Sequence, residues 1–163
     1  MNKRIFFSLG ALFLLLGCSR DDLCPTETPK TPLLIIRFYN ADNPQLLKAA
    51  PAFTVVRTSD SIALFEPQST DSIAIPLDTR VDLTEYVFFA NANDSIPDAD
   101  VISFSYDRKD EFINRACAFR TNFENLDYSQ ANPTSQSWIE SIELINDTVN
   151  IRNQNAPHLN IFH

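Results

Sequence analysis

Three cysteines, two histidines and two clusters of carboxylates are the side chains here best suited to covalent or proton-transfer chemistry. Both histidines, His158 and His163, fall in the last six of 163 residues. A Ser-His-Asp or Cys-His site needs an imidazole held firmly by its neighbours, and a fraying chain end holds one poorly. The body of the chain therefore lacks the usual proton-transfer group near neutral pH. Histidine-based zinc sites fail for the same reason. Asp94, Asp98 and Asp100 crowd one segment with Asn91 and Asn93. Calcium takes several such oxygen ligands, but the spacing matches no EF-hand and the sharp-turn glycine is missing. A solvated acidic turn is the reading adopted. Asp107, Asp110 and Glu111 surround Arg108 and Lys109. Paired carboxylates run acid–base chemistry in glycosidases; interleaved with bases in a hairpin turn, these read as charged surface. No catalytic residue, metal site or cofactor is assigned.

The cysteines say more. Lys3 and Arg4 precede an apolar run from Ile5 to Leu16. Crossing a bilayer takes about 20 apolar residues, so this run is short and has the length of a signal-peptide core. It ends in Leu15-Leu16-Gly17-Cys18, which resembles the bacterial lipobox. There, the cysteine is acylated and becomes the new N-terminus. An ordinary secreted protein with a cysteine at this point is the alternative. Each buried acyl methylene contributes about 0.8 kcal/mol, so two or three chains hold firmly. Ser19 follows Cys18, and then Arg20-Asp21-Asp22. This resembles the export signal of Bacteroidota surface lipoproteins. The expected location is the outer membrane, lipid-anchored and surface-exposed, with the periplasmic face as the other placement.

Cleavage before Cys18 removes Lys3 and Arg4, leaving 11 bases against 21 acids, a net charge of −10. Nucleic acid is excluded as a partner, since no basic footprint exists. Both glycines, Gly10 and Gly17, leave with the signal. Gly-rich phosphate loops and the dinucleotide fingerprint are excluded with them. Turns must then draw on Asn, Asp, Ser and Pro.

Cys24 and Cys117 remain, outside the cytoplasm, where disulfides persist. Pairing them closes a loop worth roughly 4.5 kcal/mol by chain entropy. Two free thiols, one of them buried, are the alternative.

The elements that must carry these groups are strands. Pro25, Pro29 and Pro32 stiffen an extended spacer. Beyond it, apolar residues alternate: Leu34, Ile36, Phe38; Phe53, Val55; Ile62, Leu64; Ile73, Ile75, Leu77; Tyr86, Phe88; Ile102, Phe104, Tyr106. Cys117, Phe119, Thr121 and Phe123 share a further face, which would turn Cys117 inward. Period-two alternation marks strands with one buried face. Pro76 marks an edge strand. Residues 43–50 suggest a short helical turn, and 135–145, with Trp138 in the core, a strand, although Trp138, Ser141, Ile142 and Ile145 also fit helical spacing. Trp138 as a sugar-stacking platform is the other reading. The expectation is an all-β chain with one antiparallel β-sandwich, immunoglobulin-like or transthyretin-like, of eight or nine strands. Its organisation is signal peptide 1–17, lipidated tether 18–32, sandwich 33–150 and flexible tail 151–163.

Thr31-Pro32-Leu33-Leu34-Ile35-Ile36-Arg37-Phe38-Tyr39 and Arg115-Ala116-Cys117-Ala118-Phe119, with the lipobox and Cys24, resemble an uncharacterised lipoprotein family of Bacteroidota. The resemblance implies architecture and location, and no activity. A small residue, often glycine, is expected after the second cysteine; Ala118 stands there.

Asp-Ser-Ile recurs at 60–62, 71–73 and 94–96, with Asp147-Thr148-Val149 as a cousin. The triplet resembles the O-glycosylation motif of Bacteroidota envelope proteins, placing candidate glycans on Ser61, Ser72, Ser95 and Thr148. Asp-Ser also starts strands after turns, and both readings can hold. The functional expectation is a lipid-anchored cell-envelope protein acting as a binding module. Its partners would be the membrane through the anchor and a protein or glycan. A structural or assembly subunit of the outer membrane is the alternative. A carboxylate- or metal-dependent enzyme stands third, and the chain is read as not an enzyme.

Overall fold

The computed structural model describes residues 23–131, 137–146 and 149–163. Eleven strands and no helix appear among them. In chain order these are β1 (Leu34–Tyr39), β2 (Ala50–Arg57), β3 (Ile62–Ala63), β4 (Gln68–Thr70), β5 (Ser72–Ile75) and β6 (Leu83–Ala90). The long pair β7 (Asp98–Asn114) and β8 (Ala118–Ala131) follows, then β9 (Ser141–Leu144), β10 (Val149–Ile151) and β11 (Leu159–Phe162). One sheet runs β5-β1-β11-β9. The other runs β10-β8-β7-β6-β2-β3, with β4 also on β2.

The chain divides into two compact parts. The larger holds Lys30–Glu111 and Arg120–His163. The smaller, as described, holds residues 23–29 and Phe112–Phe119.

The sandwich core belongs to the larger part, and alternation builds it. Leu34, Ile36 and Phe38 of β1 are fully buried, as are Tyr86 and Phe88 of β6 and Ile102 and Phe104 of β7. One apolar cluster joins both sheets. Phe38 from the first meets Phe53 from the second edge to face, centroids 4.9 Å apart. Each buried ring of this kind contributes about 1.5–3 kcal/mol relative to exposure.

The architecture is the expected all-β sandwich, with differences in detail. Eleven strands replace eight or nine, because β4 and β10 are too short to show alternation and β11 lies in the expected tail. The tail predicted to be flexible from residue 151 instead carries β11, which pairs in parallel with β1, Ile36 opposite Leu159. That is the exception in an otherwise antiparallel pairing pattern. Leu159 and Ile161 are fully buried, which a tail of Asn and Pro conceals. Residues 43–46 form a turn rather than a helix, Leu46 N–H donating to the Asn43 carbonyl at 2.9 Å. Pro76 follows edge strand β5, as its missing N–H requires. In β8, Asn125 sits at φ 52°. This inserts a bulge, so Phe123 and Leu126 face inward three residues apart.

His158 is not frayed either. Its Nδ1 accepts the N–H of Ile35 at 3.0 Å, which requires a neutral ring. Burial holds its pKa below the ordinary histidine value, and the same holds for His163. Below pH about 6.5 the unfolded chain takes up protons that the folded chain refuses, so stability falls with acidification. The loss ends once pH passes the folded pKa. His158→Gln is expected to flatten the fall in urea midpoint between pH 7 and 5. A second window lies lower: Arg80 holds the Asp78 carboxyl down to about 2. Its contribution is present above the ordinary aspartate range and is lost as pH falls towards 2.

Candidate functional site

Four groups of residues carry the chemical possibilities. The first is the bridge. Cys24 and Cys117 form a disulfide, Cα atoms 4.9 Å apart, across 93 residues. Both lie in the smaller part of the structure. Asn114 shapes the loop that presents Cys117: its Oδ1 accepts N–H bonds from Ala116 at 2.9 Å and Cys117 at 2.8 Å. Ala118 then takes φ 58°, the left-handed position that ends such a hairpin loop and favours glycine. This explains why a glycine is expected after the cysteine. Ala118→Gly is expected to stabilise the protein by about 1 kcal/mol, a rise of about 3 °C in Tm by calorimetry. Cys117 is not buried in the core as its strand phase suggested. Phe119 beside it is 64% exposed, because the left-handed Ala118 breaks the alternation at the start of β8.

The candidate lipidation and glycosylation residues form the second group. Cys18 and Thr148 lie outside the described residues. Ser61, Ser72 and Ser95 are all exposed. Ser61 occupies a tight turn at φ 56°, Ser72 opens edge strand β5, and Ser95 lies in the loop before β7.

The third is the aspartate cluster, which does not form a solvated turn. Asp94 is exposed, and Asp98 accepts from Asn91 Nδ2 at 2.9 Å. Asp100 is fully buried. Its oxygens accept the backbone N–H of Trp138 at 3.0 Å and of Ile139 at 3.1 Å. They also accept Ser137 Oγ at 2.7 Å and Gln130 Nε2 at 3.2 Å. Trp138 Nε1 donates to the Phe88 carbonyl at 3.1 Å, and its ring packs half-buried against the core. Asp100 is therefore a clamp that stitches 137–139 onto the sandwich. Among the described residues no group of His, Cys, Asp or Glu is placed to hold a metal.

The fourth is a polar shelf. Residues 107–111 lie within β7, not in a turn, since the chain reverses only at 115–117. Lys109, Glu111, Arg120, Asn122 and Glu124, joined by Arg152, line an open cavity of about 380 Å³. Glu111 Oε2 accepts from Arg120 Nε and from Asn122 Nδ2, each at 2.8 Å. These donors, Asn122 foremost, lower its pKa. Glu124 pairs with Arg152 and, at 3.7 Å, with Lys109. Asp107 accepts from Asn125, and Asp110 from Thr121 Oγ1 at 2.7 Å. Asp107, Asp110 and Glu111 thus each meet a donor across the β7–β8 pair, and Glu124 takes its donor from Arg152. Asn122 is only 6% exposed, yet its Oδ1 meets no donor among the described residues. Glu111 needs the Nδ2 donor, so flipping the amide would not repair this. A buried acceptor in this state is ordinarily satisfied by an internal water.

The alternation of Lys109 and Glu111 with Arg108 and Asp110 foretold a charged face. The unpaired Asn122 had no sequence signal, because its burial comes from cross-strand neighbours.

No curated protein and no solved structure matches the chain. The match to a family model spans residues 52–163. It includes Arg115 to Phe119 but not the strand at 31–39. That agrees with the expected resemblance to an uncharacterised family. The chain belongs to the family of unknown function DUF6452.

Proposed function

We propose that this is a lipid-anchored cell-envelope protein, acylated at Cys18, whose activity is to bind a protein or glycan partner. The Cys24–Cys117 disulfide carries the reading. Such bridges persist in oxidising compartments outside the cytoplasm, as a signal peptide at 1–17 would require. Acidic Asp21 and Asp22 after Cys18 support the outer leaflet of the outer membrane. The exposure of Ser61, Ser72 and Ser95 supports O-glycosylation at one or more of them.

The polar shelf supports binding over proton chemistry. Its carboxylates are engaged by Arg, Asn and Thr rather than held ready for proton transfer. A photo-cross-linker at Lys109 on intact cells is expected to capture one recurring partner. Arg152→Glu should cut that capture about tenfold, equivalent to 1.4 kcal/mol. Capture that is diffuse, or indifferent to Arg152→Glu, would remove the shelf from the account.

A further inference from the structure

The smaller part of the molecule differs in chemistry from the larger. Residues 23–29 and 112–119 hold one acid, Glu27, and one base, Arg115, for a net charge of zero. Residues 30–111 and 120–163 hold 18 acids and 9 bases, a net charge of −9. The neutral part also exposes its large apolar side chains. Leu23 is 87% exposed, Phe112 56% and Phe119 64%. The two phenylalanines face each other across the β7–β8 hairpin, centroids 5.2 Å apart and edge to face. A solvated loop gains little from a paired aromatic left uncovered by the described residues.

Covalent geometry says what lies within reach. Cys24 is bonded to Cys117 in the hairpin loop, and Cys18 precedes Cys24 by six residues. Six residues extend to about 20 Å at most. We propose that the disulfide-bridged tip, through Phe112, Phe119 and Leu23, seats in the headgroup layer of the same bilayer that holds the Cys18 lipid. The proposal rests on the acylation of Cys18 put forward above. Aromatic and leucine side chains favour the bilayer interface. The acidic body is repelled by phosphate headgroups, whereas the hairpin loop 112–119, with Arg115 as its one charged side chain, is not. The bridge then does more than close a loop. It joins the lipid anchor and the aromatic hairpin loop into one attachment.

The test uses full-length protein purified from membranes and reconstituted in phosphatidylethanolamine–phosphatidylglycerol vesicles. The lipids carry bromine high on the acyl chain, and Phe119→Trp reports on the tip. Wild-type protein, with Trp138 as its single tryptophan, sets the baseline. Phe119→Trp is expected to show at least about twofold more bromine quenching than wild type, with blue-shifted emission. Adding Phe112→Asp should return quenching towards baseline while the protein still floats with vesicles. Flotation without added quenching would overturn the tip contact and leave the anchor intact. A blue-shifted but unquenched indole would mean that a second copy or a protein partner covers the tip, which overturns it equally. Wild-type protein that neither floats nor carries an acyl mass would sink the anchor reading and this proposal with it.

Discussion

Asp100→Ala is expected to lower the unfolding free energy by about 3 kcal/mol, or roughly 10 °C in Tm. The carboxylate accepts two backbone N–H groups, from Trp138 and Ile139, and the Ser137 hydroxyl. Ile139 is 3% exposed, so water reaches its N–H poorly. An abandoned buried donor costs about 1–3 kcal/mol, and two are abandoned here. Asp100→Asn keeps one accepting oxygen and sets an NH₂ group against the remaining donors; about half the loss is expected. The readout is built in, because Trp138 is the single tryptophan and sits on the clamp. Its emission should shift to the red in the alanine variant as 137–139 lifts from the core. An unchanged Tm and spectrum would show that 137–139 is held by packing alone.

The paired substitution Cys24→Ser with Cys117→Ser is expected to cost about 2–4 kcal/mol, below the chain-entropy ceiling of about 4.5 kcal/mol. The loop of 93 residues encloses β1 to β7. Releasing it frees most of the unfolded sandwich, although the bridge itself sits in the smaller part. The urea midpoint of the whole domain should therefore fall, and reduction of wild type should match the double variant. If the midpoint stays put while only the hairpin loop loses exchange protection, the bridge acts as a local tie.

Much of this was legible in the alternation. Ile102, Phe104 and Tyr106 declared β7, and the same phase read backwards places Asp100 on the buried face. Its solvated appearance came from Asp94, which is exposed, and Asp98, which is only half-buried at the start of the strand. The strand at 159–162 was hidden because its partner, β1, lies more than 120 residues away. A parallel pairing of that span leaves no local turn signal. Burial of His158 followed from the same omission. The lack of glycine after residue 17 predicted Asn and Ser at turns, and Asn91, Asn125 and Ser61 fill left-handed positions. Ala52 and Ala118 do so as well, a strain no composition reveals. On the shelf, charge was readable residue by residue, whereas the unmet Asn122 acceptor depends on register between β7 and β8.

The most direct test of the account is the intact mass of the protein extracted from its native membrane. The expected species begins at Cys18, carries two or three acyl chains and lacks two hydrogens for the Cys24–Cys117 bridge. Glycan increments at Ser61, Ser72 or Ser95 would add to it. A chain that still begins at Met1, or one that begins elsewhere without acyl mass, would contradict it.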